Sequence, residues 1–294
     1  MALGQNQYHV SIYVTDNNDN TSIAITTDVP VMLSFESPHA TTNNLENSCG
    51  SSSCNEDFVQ FMPIASQPLQ CNSYLYPPDQ RMCAKDYTTR LHISPPNLGL
   101  NCDAISQITV YNNINNMRGN QEVVDKAGFT KIDLINNGVA GFSTIAGQVS
   151  TNRLGSAFDE NGIIANGHFM HYVPSTREWL TGKSSFYTLA KDCVLEFYAD
   201  ADGSNDELIK INGHTLDTLK YEHTPILFFE QRYSQFVVNI NGYGLHTIEN
   251  HGKYVAYVIC KHVNGPYNAH GYLTGSKKGK ENLIINYVLI NVFW

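Results

Sequence analysis

The octapeptide Asp200-Ala201-Asp202-Gly203-Ser204-Asn205-Asp206-Glu207 sets carboxylates at alternate positions around a glycine. Oxygen ligands so spaced are what a hard cation such as calcium takes. Asp200, Asp202, Asp206 and Glu207 are therefore the candidate ligands of a weak extracellular calcium site. The glycine stands fourth rather than sixth and the twelfth position is Ile211, which excludes an EF-hand. The competing reading is an acidic hairpin turn between strands at 194–199 and 208–211, where Asp, Asn and Gly favour chain reversal.

Histidines form the second group. His168 and His171 would share a face on a helix, but on a strand they point to opposite sides, so one metal ion does not reach both. His246 follows Gly242-Tyr243-Gly244 at a strand-end corner. There the glycines supply positive φ or close backbone approach, and the imidazole bonds a neighbouring backbone group. No HExxH, GxSxG or phosphate-binding loop occurs. With no nucleophile, base and orienting group to assemble, the chain reads as non-enzymatic and without a cofactor.

The seven cysteines are Cys49, Cys54, Cys71, Cys83, Cys102, Cys193 and Cys260. Five fall within 49–102 and none forms a CxxC pair, so the pattern is that of disulfides stapling long loops in an oxidising compartment. Candidate bonds are Cys193–Cys260, Cys71–Cys83 and Cys49–Cys54. Asn20-Thr21-Ser22 is a glycosylation sequon in a polar turn. Tyr243, Tyr254, Tyr257, Tyr267 and Tyr272 crowd one region, and tyrosine gives contact area at low entropic cost. Tyr267, His270 and Tyr272, in a closing loop, are the candidates for a partner surface.

These groups sit on β-structure. Only 15% of the 294 residues are charged, against about 25% usually, and Asn, Ser, Thr and Tyr take the place of charge. The formal charge of −9 opposes nucleic acid or an anionic membrane as partner. Short runs of Val, Ile, Tyr and Thr bounded by Asn, Asp and Gly predict strands at 8–16, 22–26, 29–35, 56–64, 89–93, 105–111, 129–135 and 143–146. Glu122–Ala127 reads as one turn of helix at most. The apolar stretch Leu283–Trp294 is too short to cross a bilayer as a helix. It reads as a strand, an anchor remnant or an artefact. The start has neither the basic residues nor the apolar run of a signal peptide, so a trimmed or fragmentary secreted chain is expected.

The second half repeats the first. Phe58–Pro63 matches Phe169–Pro174, Leu91–Ile93 matches Leu195–Phe197, Ile108–Val110 matches Ile209–Ile211, and Phe129–Gly138 matches Tyr233–Gly242. The matches are colinear, about 105 residues apart, with apolar positions on the same β face. Residues 22–35 also align with 247–260.

Pro174 with Trp179, the FYTLA run at 186–190, Ile211-Asn212-Gly213, Gly244-Leu245-His246-Thr247-Ile248 and the Tyr267–Gly275 close resemble the N-terminal domain family of the IgG Fc-binding proteins. The resemblance covers 8–275 and is best over 168–275. It implies an all-β, secreted or surface-displayed domain of mucus-type and matrix-type proteins, without catalysis. The Cys-dense 49–102 segment and the first copy's corner, which has no counterpart of His246, depart from the family pattern.

The expected architecture is all-β: two tandem antiparallel β-sandwich modules with long disulfide-bearing loops. Residues 1–40 form opening hairpin strands, either the end of a preceding module or part of the first sandwich; 41–160 form the first module, 161–275 the second and 276–294 an apolar tail. The expected role is a non-catalytic extracellular binding or structural module of an adhesive, mucus-like or matrix protein, contacting an extracellular protein or glycoprotein. The alternative is a secreted glycan-binding, lectin-like module with a weak calcium site.

Overall fold

A computed structural model describes residues 21–27, 33–40, 57–64, 78–94, 107–112, 118–124, 130–134, 138–144, 149–158, 165–265, 268–277 and 286–292. Cys49, Cys54, Cys71, Cys102, Asn20 and Tyr267 lie outside them. The strands of the first half are β1 (Thr21–Thr27), β2 (Phe35–Ala40), β3 (Asp57–Phe61), β4 (Gln80–Ala84), β5 (Thr88–Ile93), β6 (Gln107–Tyr111), β7 (Asn120–Val123), β8 (Thr130–Asp133), β9 (Val139–Thr144) and β10 (Thr151–Phe158). Those of the second half are β11 (Ala165–Tyr172), β12 (Leu180–Thr188), β13 (Asp192–Asp200), β14 (Lys210–Ile211), β15 (His214–Thr215), β16 (Tyr221–Phe228), β17 (Gln231–Asn241), β18 (Gly244–Cys260), β19 (His270–Leu273) and β20 (Asn286–Val292). Among the described residues, helix is confined to single 3-10 turns. The protein is all-β and its ladders are antiparallel.

Two four-stranded sheets, ordered β4-β9-β6-β7 and β8-β5-β10-β11, enclose one core. Leu91, Ile93, Ile108, Val110, Phe142 and Val173 fill it. The same strand order returns in the second half. There β12-β18-β14-β15 repeats the first sheet and β17-β13-β18-β19 the second, with β16 added beyond β17. The positions of β9 and β10 are fused there into one strand, β18. Its first half pairs β12 and β14, its second half β13 and β19. The bend between them passes Gly252, where a Cβ would come within 2.1 Å of the Gly203 backbone nitrogen. Only glycine permits that approach. Phe186, Leu195, Phe197, Phe236, Val238 and Ile248 lie in the enclosed core.

The module boundary differs from the sequence expectation of 160/161. Strand β11 completes the sheet of β10, and Val173 N–H donates to the Thr151 carbonyl. The first module therefore runs through Val173, because the backbone groups of that stretch are satisfied by β10. The opening segment also differs: among the described residues β1 pairs with β20 and β2 with β3, not with each other. The apolar tail thus supplies a strand. Glu122 and Val123, the start of the expected helical turn, belong instead to strand β7, whose Gln121 side chain donates to Thr109 Oγ1 on β6.

Cys193 and Cys260 stand opposite each other in the β13–β18 register and are bonded, as expected. The expected Cys71–Cys83 bond is not formed. Cys83 is a free, buried thiol within the first core, and burial pushes its pKa up to about 12. It stays protonated and unreactive there.

Strand β13 is buried on both faces. Leu195 and Phe197 face their own core, while Val194, Glu196 and Tyr198 turn to the first module. A polar network crosses this seam. Arg153 Nη1 is 2.6 Å from Glu196 Oε2. Glu196 Oε1 accepts from the Tyr198 hydroxyl at 2.7 Å and from Gln235 Nε2 at 3.0 Å. The Tyr198 hydroxyl accepts from Ala84 N–H of β4 at 2.6 Å. Around it pack Met82, Val139, Trp179, Phe228 and Val255.

Candidate functional site

The acidic turn is organised by its own hydrogen bonds. Asp200 Oδ1 accepts from the Gly203 and Lys253 amides at 2.9 and 3.1 Å. Glu207 N–H donates to Asn205 Oδ1, and the Tyr221 hydroxyl donates to Asp206 Oδ2. Asp200 is half-buried under the bend of β18, whereas Asp202 and Glu207 are exposed. The four carboxylates are not brought together. Among the described residues no group of three or more His, Cys, Asp or Glu is placed to hold a metal ion.

His168 and His171 fall on opposite faces of β11, opposite Ser156 and Arg153 respectively. Burial, aided by Arg90, lowers the His168 pKa to about 4. The unfolded imidazole takes up its proton near pH 6.5 and the folded one near 4, so the unfolded state binds more protons in that window. His168 is thus expected to cost about 3 kcal/mol of stability as pH falls from 7 to 4, at about 1.4 kcal/mol per unit. Denaturant midpoints measured across pH 4–7 should show a steeper decline in the native protein than in His168→Asn. Parallel curves would disprove the assignment.

His246 serves the corner. Asn212 Nδ2 donates to His246 Nδ1 at 2.9 Å, and Thr247 N–H donates to Asn212 Oδ1, which fixes the amide's orientation. Nε2 therefore carries the ring proton and donates to Thr188 Oγ1, which donates on to the Gly242 carbonyl. The imidazole so bonds side chains and reaches the backbone through Thr188. Gly242 and Gly244 have φ of 93° and 117°, as a glycine corner predicts.

Of the expected partner surface, Tyr272 and His270 are drawn into the fold. The Tyr272 hydroxyl accepts from Tyr187 N–H at 2.7 Å and donates to the Tyr187 carbonyl at 2.6 Å. It caps the open edge of β12 and packs against the second core. His270 is half-buried, and burial lowers its pKa against the opposing pull of Asp57.

The open apolar surface lies at the other face of that corner. Tyr187 and Leu245 are cross-strand partners, and Leu189 and Tyr243 follow one step beyond them. The alternation that buries Phe186 and Thr188 turns these four outward. They are 52, 41, 63 and 72% exposed in the order Tyr187, Leu189, Tyr243, Leu245. Single exposed apolar residues are ordinary, but a contiguous set marks an interaction site. Sequence reading singled out Tyr243 alone. Tyr187 and Leu189 belong to the FYTLA run, and only the β12–β18 register joins them to Leu245.

No protein-family model, curated protein or solved structure matches the chain.

Proposed function

We propose that the chain is a non-catalytic extracellular binding or structural module of an adhesive, mucus-like or matrix protein, and that it contacts a protein partner through Tyr187, Leu189, Tyr243 and Leu245. The exposure of these four large side chains at one corner is the observation that carries this reading. The Cys193–Cys260 bond fits an oxidising compartment. The low charge and the motif resemblance to IgG Fc-binding N-terminal domains support it further. Two exposed tyrosine rings also suit stacking on a sugar, which keeps a lectin-like alternative.

The test is surface plasmon resonance against immobilised mucin and matrix glycoproteins, before and after enzymatic deglycosylation. Tyr243→Ser/Leu245→Ser is expected to weaken binding at least ~10-fold, as for interface anchors. Its melting temperature should hardly move, since both residues are exposed. Binding that survives deglycosylation supports the protein-contact reading, and binding abolished by it moves the assignment to glycan. Undiminished binding by the double variant overturns the corner as the site.

A further inference from the structure

Arg153 and His171 stand directly opposite each other across the β10–β11 ladder, so their side chains share the face turned to the second module. Both are buried. Arg153 gives Nη1 to Glu196, while its Nε and Nη2 meet no acceptor among the described residues. His171 Nδ1 lies 3.0 Å from the Tyr172 carbonyl oxygen, which can only accept, so Nδ1 carries the ring proton. Burial, and then the Arg153 charge, hold this imidazole neutral well below its ordinary pKa. Nε2 is consequently a bare lone pair, and it too has no partner among the described residues. The Tyr257 ring stacks on His171 at 4.6 Å and lies 5.3 Å from the guanidinium carbon. Its hydroxyl is the third buried polar group of the cluster without a partner among the described residues.

Donors, a bare acceptor and an amphoteric hydroxyl call for a ligand that accepts and donates at once. An anion would satisfy Arg153 but set negative charge against the His171 lone pair, and Glu196 already neutralises the guanidinium. A cation meets the opposite objection at Arg153. Water meets both demands, and buried waters make about three hydrogen bonds to groups of this kind. We propose that an internal water molecule is bound in the seam between the modules, accepting from Arg153, donating to His171 Nε2 and completing its shell with the Tyr257 hydroxyl. This site is separate from the exposed corner and independent of the function proposed for it. It extends the Glu196 network onto β11 and makes the centre of the seam wet.

A high-resolution crystal structure of the full chain decides the matter, with bromide-soaked crystals alongside. The expected result is one water peak at about 2.7–3.2 Å from both Arg153 and His171 Nε2, with no anomalous bromide signal. An empty seam, a bromide peak, or Arg153 and His171 turned to protein partners overturns the proposal. His171→Phe keeps an aromatic ring against Tyr257 but removes Nε2, so the peak should vanish in that variant. A peak that persists there removes His171 from the site. Should the variant not fold, the native crystals alone decide.

Discussion

Glu196→Ala is expected to cost about 3–5 kcal/mol of folding stability, since breaking a buried ion pair leaves its partner charge uncompensated. Arg153 and Glu196 are both fully buried, so bulk water does not reach them, and the single water proposed beside Arg153 carries no charge to replace the carboxylate. The carboxylate also accepts from Tyr198 and Gln235; in the variant the Tyr198 hydroxyl loses that acceptor, while Gln235 Nε2 keeps only Asp86 Oδ2. Removing both charges should be far milder. The Arg153→Met/Glu196→Leu double variant is expected to regain most of the loss, because well-shaped apolar replacements of buried pairs are often neutral. Urea midpoints of the two single variants and the double variant supply the cycle. A loss below ~1 kcal/mol for Glu196→Ala would mean that the pair is not closed as described.

The Cys193–Cys260 bond is the second large contributor. It joins residues 67 apart in sequence, and a closed loop of that length restricts the unfolded chain by about 4 kcal/mol. For a protein of this size the loss corresponds to a fall of about 10 °C in melting temperature. Both residues lie in the core of the second module, so Cys193→Ala/Cys260→Ala adds a small cavity to the entropic loss. Melting of the double variant, set beside the native protein with and without reductant, separates the two effects. Unchanged melting after reduction, with both thiols shown free by mass spectrometry, would count against this bond as a stabiliser.

Much of the β architecture was legible because alternation and turn residues speak for themselves in strands with one solvent face. Phe58–Met62, Ile108–Val110 and Phe236–Asn241 are of that kind. The repeat was legible too, and its strand order recurs in the structure. Strand β4 was not. Gln80–Ala84 carries Arg81, which reads as surface, yet Arg81 is buried because Asp79 pairs with it at 2.9 Å. The boundary at 160/161 failed for a related reason. Phe169–Pro174 matches Phe58–Pro63 and so looked like the start of a copy, whereas the hydrogen bonds of β11 go back to β10. Cys83 was assigned a partner because cysteines crowd its neighbourhood in sequence. Its side chain instead points between two sheets, a direction that depends on which neighbours β4 finds. The corner formed by Tyr187, Leu189, Tyr243 and Leu245 depends likewise on long-range register, which single-sequence patterns do not carry.

The fusion of two strand positions into β18 bears on how the chain reaches its native state. One uninterrupted strand closes ladders with β12, β13, β14 and β19 at once. The pairing of β12 and of β19 to the module, and the joining of β13 to β14, therefore wait for the same late segment, while β13–β17, β14–β15 and β16–β17 pair without it. Topologies dominated by such distant contacts fold in about milliseconds to seconds rather than microseconds. During synthesis the delay is longer. At about 5–20 residues per second, the span from Thr188 to its partner Gly244 takes several seconds to emerge. Through that interval β12 has no ladder partner on its β18 side, and Phe186, destined for the core, lies open beside Tyr187 and Leu189.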